Sequence, residues 1–250
     1  MREKSKITHN LIVGRNPVIE ALRAATPIVK IFLLHGIRGG NIETIYSLAK
    51  ERKIPCIEIN RNKFEELTSD DVNQGVAAII EEKKFVDVDD ILEIALTKEE
   101  LPLILILDEI QDPQNLGAII RTAECAGVHG VIIPKHNAAP VTSTVTKASA
   151  GAVEYVAMAR VTNIAQTIDE LKENGVWIVG TDSSADKKYT ELDYKIPLAL
   201  VVGSEGRGMR RLVKEKCDFL VKIPLFGKIE SLNASVAAAL LVYEVVRKRK

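Results

Sequence analysis

Hydrophobic and polar positions alternate along this chain in a way that predicts two α/β units of different size. Between residues 11 and 82, short apolar runs trade with stretches of helical spacing. Asn16-Pro17 opens a helix expected to reach Ala25, with proline in the first turn, where its missing N–H does no harm. Residues 28–34 read as a strand. Ile42, Ile45, Leu48 and Ala49 give residues 42–52 a helical period. A strand at 54–59, a short helix at 63–67 and a strand at 76–80 complete a unit of about 70 residues, near the lower limit for a self-supporting domain.

Residues 83–100 carry Lys83, Lys84, Asp87, Asp89, Asp90, Glu93, Glu99 and Glu100. They read as a charged connector, with one helix at about 88–96, and the domain boundary is expected there. From Leu101 the pattern changes to buried strands: the run at 103–107 is purely apolar, as a strand covered on both faces should be, and those at 130–133, 177–181, 198–202 and 219–223 behave similarly. Helical stretches at 116–126, 164–174, 209–216 and 232–247 separate them. Strand alternating with helix predicts a mostly parallel sheet with helices on both faces. The expected division is therefore a small α/β domain over 1–82, a linker over 83–100 and a larger α/β domain over 101–250.

Composition changes this picture little. The 46% hydrophobic and 27% charged residues are those of a globular protein, and 4% aromatics suit an aliphatic α/β core. Net charge is zero, so no global field marks a nucleic-acid partner, and local clusters must carry one. Both ends are basic, with Arg2, Lys4 and Lys6 at one and Arg247, Lys248, Arg249 and Lys250 at the other. Cys56, Cys125 and Cys217 are scattered, which fits reduced thiols in a reducing compartment. No apolar stretch has signal-peptide or membrane-span length, so a cytoplasmic protein is expected. His9, His35, His129 and His136 lack ligand or triad spacing, and no metal is expected.

Ligands of such sheets gather at the carboxyl ends of the strands. After the run at 103–107 comes Asp108-Glu109-Ile110-Gln111-Asp112-Pro113-Gln114-Asn115, then Arg121 inside a helix. Asn115 and Arg121, six residues apart, are expected on roughly the same side; spacing alone favours the plainer reading of a helix-capping Asn and a surface Arg. After 198–202 comes Gly203-Ser204-Glu205-Gly206-Arg207-Gly208. Alternate glycines let the backbone turn sharply beside a ligand, but this is neither a dinucleotide fingerprint nor a Walker loop. Its glutamate suits a cationic or hydroxyl-bearing ligand better than a phosphate. After 219–223 comes a polar turn containing Ser231 and Asn233, then an Ala-rich helix that Ser231 is expected to cap.

Taken together, these turns resemble the motifs of the SpoU (TrmH-like) family of SPOUT methyltransferases, over nearly the whole chain. Residues 115–121 resemble the first motif, 202–208 the second, and 223–235, with Ser-Leu-Asn-Ala-Ser, the third. Residues 137–154, with Val141-Thr142, Lys147 and Ser149-Ala150-Gly151-Ala152, are similar to the subgroup that modifies a guanosine of 23S ribosomal RNA; Ala138 stands where serine is common.

The resemblance implies an α/β catalytic domain with a C-terminal trefoil knot, which base rates alone would argue against. It implies dimerisation through the knotted region, a small N-terminal RNA-binding domain, and S-adenosylmethionine as cofactor. Thr181, Gly203, Ser204, Glu205, Gly206, Ile223 and Leu232 are expected to line the cofactor site. Asn115, Arg121, Glu205, Ser231 and Asn233 are expected to act in methylating a ribose 2′-hydroxyl. Arginine stays protonated under ordinary conditions, so two readings of Arg121 stand: a locally perturbed base, or a clamp on a phosphate that takes the proton. Lys135, Arg207, Arg210 and Arg211 are the expected RNA contacts. The acceptor reads as ribosomal RNA, with transfer RNA or an antibiotic-resistance site as an alternative. An inert ribosome-assembly factor is the alternative of a different class.

Overall fold

The computed structural model describes residues 11–23, 26–68, 74–80, 83–229 and 231–250. The chain divides into two compact units, residues 1–83 and 84–250. The expected helix end at Ala25, His9 and the basic residues at the N-terminus lie outside the described residues.

In the smaller unit the order is β1 (Leu11–Val13), α1 (Arg15–Arg23), β2 (Ile28–Leu34), α2 (Gly40–Glu51), β3 (Cys56–Ile59), α3 (Arg61–Thr68) and β4 (Val76–Ile80). The sheet order is β1-β4-β2-β3, with β4 antiparallel to both neighbours and β2 parallel to β3. Its core packs Val18 and Leu22 of α1 and Ile42, Ile45 and Ala49 of α2 against Ile31, Leu33, Val76 and Ala78 of the sheet.

In the larger unit the order is α4 (Val88–Thr97), β5 (Leu103–Asp108), α5 (Pro113–Cys125), β6 (Gly130–Pro134), α6 (Ser143–Ala148), β7 (Met158–Val161), α7 (Ile164–Glu173), β8 (Trp177–Thr181), β9 (Lys187–Lys188), β10 (Leu198–Gly203), α8 (Arg211–Glu215), β11 (Phe219–Lys222) and α9 (Ala234–Arg249). The seven strands lie in the order β7-β6-β5-β10-β8-β11-β9, and every pairing is parallel. One core layer packs α5 and α9 on the sheet, through Leu116, Ile119 and Ile120 with Leu241, Val242 and Val245. The opposite layer holds Ile91 of α4, Ile164, Ile168 and Leu171 of α7, and Val213 of α8.

Residues 84–100, expected as a connector, belong to this larger unit. Val86 bridges to Ala159 beside β7, and α4 turns Ile91 and Ala95, both 0% exposed, into the core. Gly130 makes the seat: a Cβ there would stand 2.5 Å from Ile91 Cδ1. Of the charges that suggest a linker, Asp89 and Asp90 lie in the first turn of the helix, where acidic residues favour the helix dipole, and Glu93 on its exposed side; the others flank it. At the other end of the chain, Arg249 is also no free surface charge. Its guanidinium donates to the carbonyls of Leu101, Pro102, Tyr194 and Ile196, fastening the end of α9 to the starts of β5 and β10.

Candidate active site

Because β5, β10, β8 and β11 are adjacent and parallel, their carboxyl ends open on one edge of the sheet. Gly203 ends β10 directly opposite Asp108 at the end of β5. That register brings together two turns that are far apart in the chain.

Each turn is held by its own residues. Asp112, not Asn115, caps α5: its carboxylate accepts from Gln114 N at 2.9 Å, with Pro113 in the first turn. Asn115 is thereby freed for tertiary contacts and is 7% exposed. Likewise Asn233, not Ser231, caps α9, accepting from the backbone N–H groups of Ser235 and Val236. In the turn after β10, Ser204 and Gly208 exchange two backbone hydrogen bonds of 3.1 and 2.9 Å. Gly203 lies so close beneath this hairpin that a Cβ would stand 2.1 Å from Gly208 C.

Glu205, at the tip, joins the other two turns. Its Oε1 accepts from Asn115 Nδ2 at 2.5 Å and from Asn233 Nδ2 at 2.8 Å, and Ala234 N lies at 3.4 Å. Asn233 Nδ2 also donates to Asn115 Oδ1 at 2.9 Å. Three residues spread over 118 positions of sequence thus form one closed network. Hydrogen bonds to a carboxylate are roughly twice as strong as neutral ones, so this contact sets the spacing of the three turns.

Two cavities flank the network. The first, about 440 Å³, is lined by all seven residues expected at the cofactor site, Thr181, Gly203, Ser204, Glu205, Gly206, Ile223 and Leu232, and also by Ser231. Val202, Val221 and Leu225 give it an apolar wall, while Asp182 and Ser183 add polar groups. Asp182 is an addition to the expected set. Burial pushes its carboxyl up, but hydrogen bonds from Lys214 and Ser184 outweigh that and hold it below its ordinary value. Its position two residues past the last buried residue of β8 is the signal available in the sequence. The second cavity, about 380 Å³, is lined by Glu109, Ile110, Gln111, Asp112 and Asn115. Ser204, Glu205, Arg207 and Ala234 line both cavities and form their common wall.

The expected basic residues divide. Arg207 is exposed and reaches both cavities. Lys135 is exposed beyond β6 and lines neither. Arg211 pairs with Glu215 one turn along α8. Arg210 is half-exposed but pairs with a buried carboxylate: its backbone N and Nε each lie 2.8 Å from the Asp108 carboxylate, its Nη2 lies 2.6 Å from Oδ1, and Asp108 is 0% exposed. It is a strut between the turn after β10 and the end of β5. Arg121 is exposed, lines neither cavity and has no partner among the described residues. Six residues are about 600° of helix at 3.6 residues per turn, so Arg121 points about 120° away from Asn115 rather than to the same side.

Among the described residues, no group of His, Cys, Asp and Glu could hold a metal ion, and no helix is long and apolar enough to cross a membrane. His129 has a structural role: Nδ1 accepts from Leu103 N at 3.0 Å and Nε2 lies 3.0 Å from Glu100.

Residues 102–243 match the model of the SpoU rRNA Methylase family. The chain belongs to that family. A second model, for RNA 2′-O ribose methyltransferase substrate binding, matches residues 11–86 of this SpoU methylase. YacO of Bacillus subtilis (strain 168), which carries the name of the TrmH family of tRNA/rRNA methyltransferases, is 48% identical over 241 residues, covering 96% of each chain. Among solved structures, the SpoU methyltransferase AviRb of Streptomyces viridochromogenes in complex with AdoMet superposes with a TM-score of 0.66 at 26% identity, covering 96% of this chain and 90% of that one. The AdoMet-bound rRNA methyltransferase of Sinorhizobium meliloti gives 0.64 at 27% identity, covering 95% and 86%. The methyltransferase class and the α/β fold with a small N-terminal domain, both expected from the sequence, hold.

Proposed function

We propose that this SpoU methylase transfers a methyl group from S-adenosylmethionine to a ribose 2′-hydroxyl, with a guanosine of 23S ribosomal RNA as acceptor. The observation that carries the reading is the wall common to the two cavities. Group transfer needs donor and acceptor in contact, and the Asn115–Glu205–Asn233 network borders that wall. The first cavity fits the cofactor. Its apolar wall of Val202, Val221, Ile223 and Leu225 suits an adenine ring, and the Asp182 and Glu205 carboxylates suit ribose hydroxyls and a cationic centre. The absence of a Cβ at Gly203 lets the 204–208 hairpin pack directly on the end of β10 and form part of that wall. When bound, S-adenosylmethionine supplies a methyl group already activated by positively charged sulfur.

The protein's own contribution is positioning. Glu205 fixes the Asn115 and Asn233 amides, which orient the ribose oxygen at the wall. Ser231 adds a hydroxyl to the cofactor side, and Arg207 an exposed cation toward RNA phosphate. Arg121, with all its donors available, clamps a phosphate that accepts the hydroxyl proton. The small unit supports an RNA acceptor through its match to the substrate-binding model, and the Sinorhizobium relative named as an rRNA methyltransferase supports the ribosomal reading. Transfer RNA stays in view because the TrmH relatives carry both RNA classes in their name.

A homodimer and the trefoil knot belong to the same proposal. Support for the knot is the strand order, in which β10 is inserted between β5 and β8. Support for the dimer is an apolar groove between α5 and α9, where Val236, Leu240 and Tyr243 are 46%, 38% and 49% exposed. Ala118 and Thr122 line that groove, and Arg121 sits between them on α5. A second copy seated there gives Arg121 a route to its partner's cavities.

The test is labelled S-adenosylmethionine with unmodified ribosomal RNA, followed by digestion and nucleoside analysis. 2′-O-Methylguanosine is expected; label in a base, or none, refutes the reading. Arg121→Ala should lower kcat at least about 100-fold, the scale of a lost proton-transfer group, with cofactor Kd unchanged. Mixing Arg121→Ala with Asn233→Ala subunits should restore activity, since each heterodimer then holds one intact composite site. A mixture as inactive as its parts would rule out shared sites.

A further inference from the structure

We propose that the smaller unit captures one unstacked nucleotide of the RNA in a pocket between α1, α2 and the end of β2. The inference rests on the RNA-methyltransferase reading above and assigns the contact residues. The pocket is about 500 Å³ and is lined by Arg15, Asn16, Leu34, Ile37, Asn41 and Gln74.

Its polar groups are held in place before any ligand arrives. Arg15 N donates to Gln74 Oε1 at 3.1 Å, and Arg15 Nε donates to the Gln74 carbonyl at 3.2 Å. The guanidinium is pinned on that side, and one outer nitrogen lies 3.3 Å from where a Gly39 Cβ would stand. Gly39 itself sits at φ +125°, a conformation that favours glycine. Asn41 Nδ2 donates to Asn16 Oδ1 at 3.0 Å. That single bond leaves Asn16 Nδ2 as a donor beside Asn41 Oδ1 as an acceptor, both on exposed residues. Below them Leu34 and Ile37 are half-buried. Ile37 is seated tightly, since a Cβ on Gly75 would stand 2.5 Å from its Cδ1.

The chemistry selects the ligand. A phosphate needs donors only, and Asn41 Oδ1 would repel it. A nucleobase edge offers a donor next to an acceptor and matches the Asn16–Asn41 pair, while its face covers Leu34 and Ile37. Arg15 then keeps its outer N–H groups for the flanking phosphate, as guanidinium groups do in fork geometry. Sequence-specific recognition of RNA acts mainly on unstacked bases with free edges. The match of residues 11–86 to a substrate-binding model points independently to RNA on this unit.

The test uses the full chain with the double substitution Asn16→Ala/Asn41→Ala. Binding of unmodified ribosomal RNA is measured by filter retention, and methylation by steady-state kinetics. The apparent KM and the Kd for RNA should both rise at least tenfold, with kcat within twofold and cofactor Kd unchanged. Unchanged RNA Kd and KM overturn the proposal. Should the double variant fail to fold, Asn41→Asp decides: it keeps the side-chain size, sets a negative charge against RNA, and should weaken binding at least as much. If the wild type binds RNA but methylates none, the catalytic reading fails while the Kd comparison still judges this one. If the wild type binds no RNA, this inference fails too.

Discussion

Replacing Gly203 by alanine isolates the backbone contact on which the cofactor cavity is built. A Cβ at that position would meet Gly208 C at 2.1 Å, Met209 N at 2.2 Å and Gly208 O at 2.4 Å. All three are backbone atoms, so no side-chain rotation relieves the overlap. Reaching ordinary contact means moving the hairpin from 2.1 Å to at least 3.4 Å. That breaks the two Ser204–Gly208 hydrogen bonds, worth about 1 kcal/mol each. Overpacking adds about 1–3 kcal/mol. Glu205, carried on the same hairpin, is drawn away from Asn115 and Asn233. If about 3 kcal/mol of this falls on the cofactor-competent state, cofactor affinity drops more than about 100-fold. Gly206→Ala is the control. Gly206 has φ +76° and nothing within 4 Å of an added Cβ, so the change costs only the left-handed backbone penalty, about 1–2 kcal/mol. Isothermal titration with S-adenosylmethionine and thermal unfolding of both variants compare the two costs. The reasoning is refuted if Gly203→Ala binds cofactor within about threefold of wild type, or if Gly206→Ala is the less stable of the two proteins.

Two further outcomes follow from the same geometry. Arg210→Ala removes the guanidinium from the buried Asp108 carboxylate and leaves it only the backbone N–H of residue 210; breaking a buried pair costs about 3–5 kcal/mol, and the retained N–H and the water admitted where the side chain was 46% exposed recover part of that. Denaturant melts should show a fall in stability and titration a fall in cofactor affinity, whereas an RNA-specific defect in a fully stable protein would restore Arg210 to the RNA contacts. His129 should give the protein an acid-sensitive limb. Burial, only partly offset by Glu100, pulls its pKa below the ordinary 6.5. A group lowered in the folded state contributes stability above its unfolded pKa and loses it as pH falls through the folded one. Thermal stability should therefore decline below about pH 6.5, and His129→Gln should flatten that decline; an unchanged slope assigns the acid sensitivity elsewhere.

The parts of this molecule that are legible in its sequence are those whose physics is local. A strand covered on both faces is apolar at every position, so residues 103–107 and 198–202 announce themselves, and both are fully buried. β7 and α6 carry no such signal. β7 has four residues, with Arg160 exposed and Val161 half-buried, and α6 is a six-residue helix rich in Ser, Thr and Lys. The helix over 88–97 reads as linker because its charges outnumber the two residues, Ile91 and Ala95, that it buries. The site is legible as three polar turns at strand ends, since the sheet rule gives those positions meaning without contact information. Which side chain does what inside them is not. A capping residue is set by the helix start, and shifts of three residues at α5 and two at α9 move the cap from Asn115 to Asp112 and from Ser231 to Asn233. Arg210 and Asp108 lie 102 residues apart, so nothing near Arg210 in sequence shows that it pairs with a buried carboxylate. That ion pair exists only because β10 runs beside β5 in a register that sets Gly203 against Asp108. The same pairing carries Glu205 to Asn115. The chemistry of the site is thus written in local residue types, but its assembly is a property of strand order, which no stretch of the chain encodes alone.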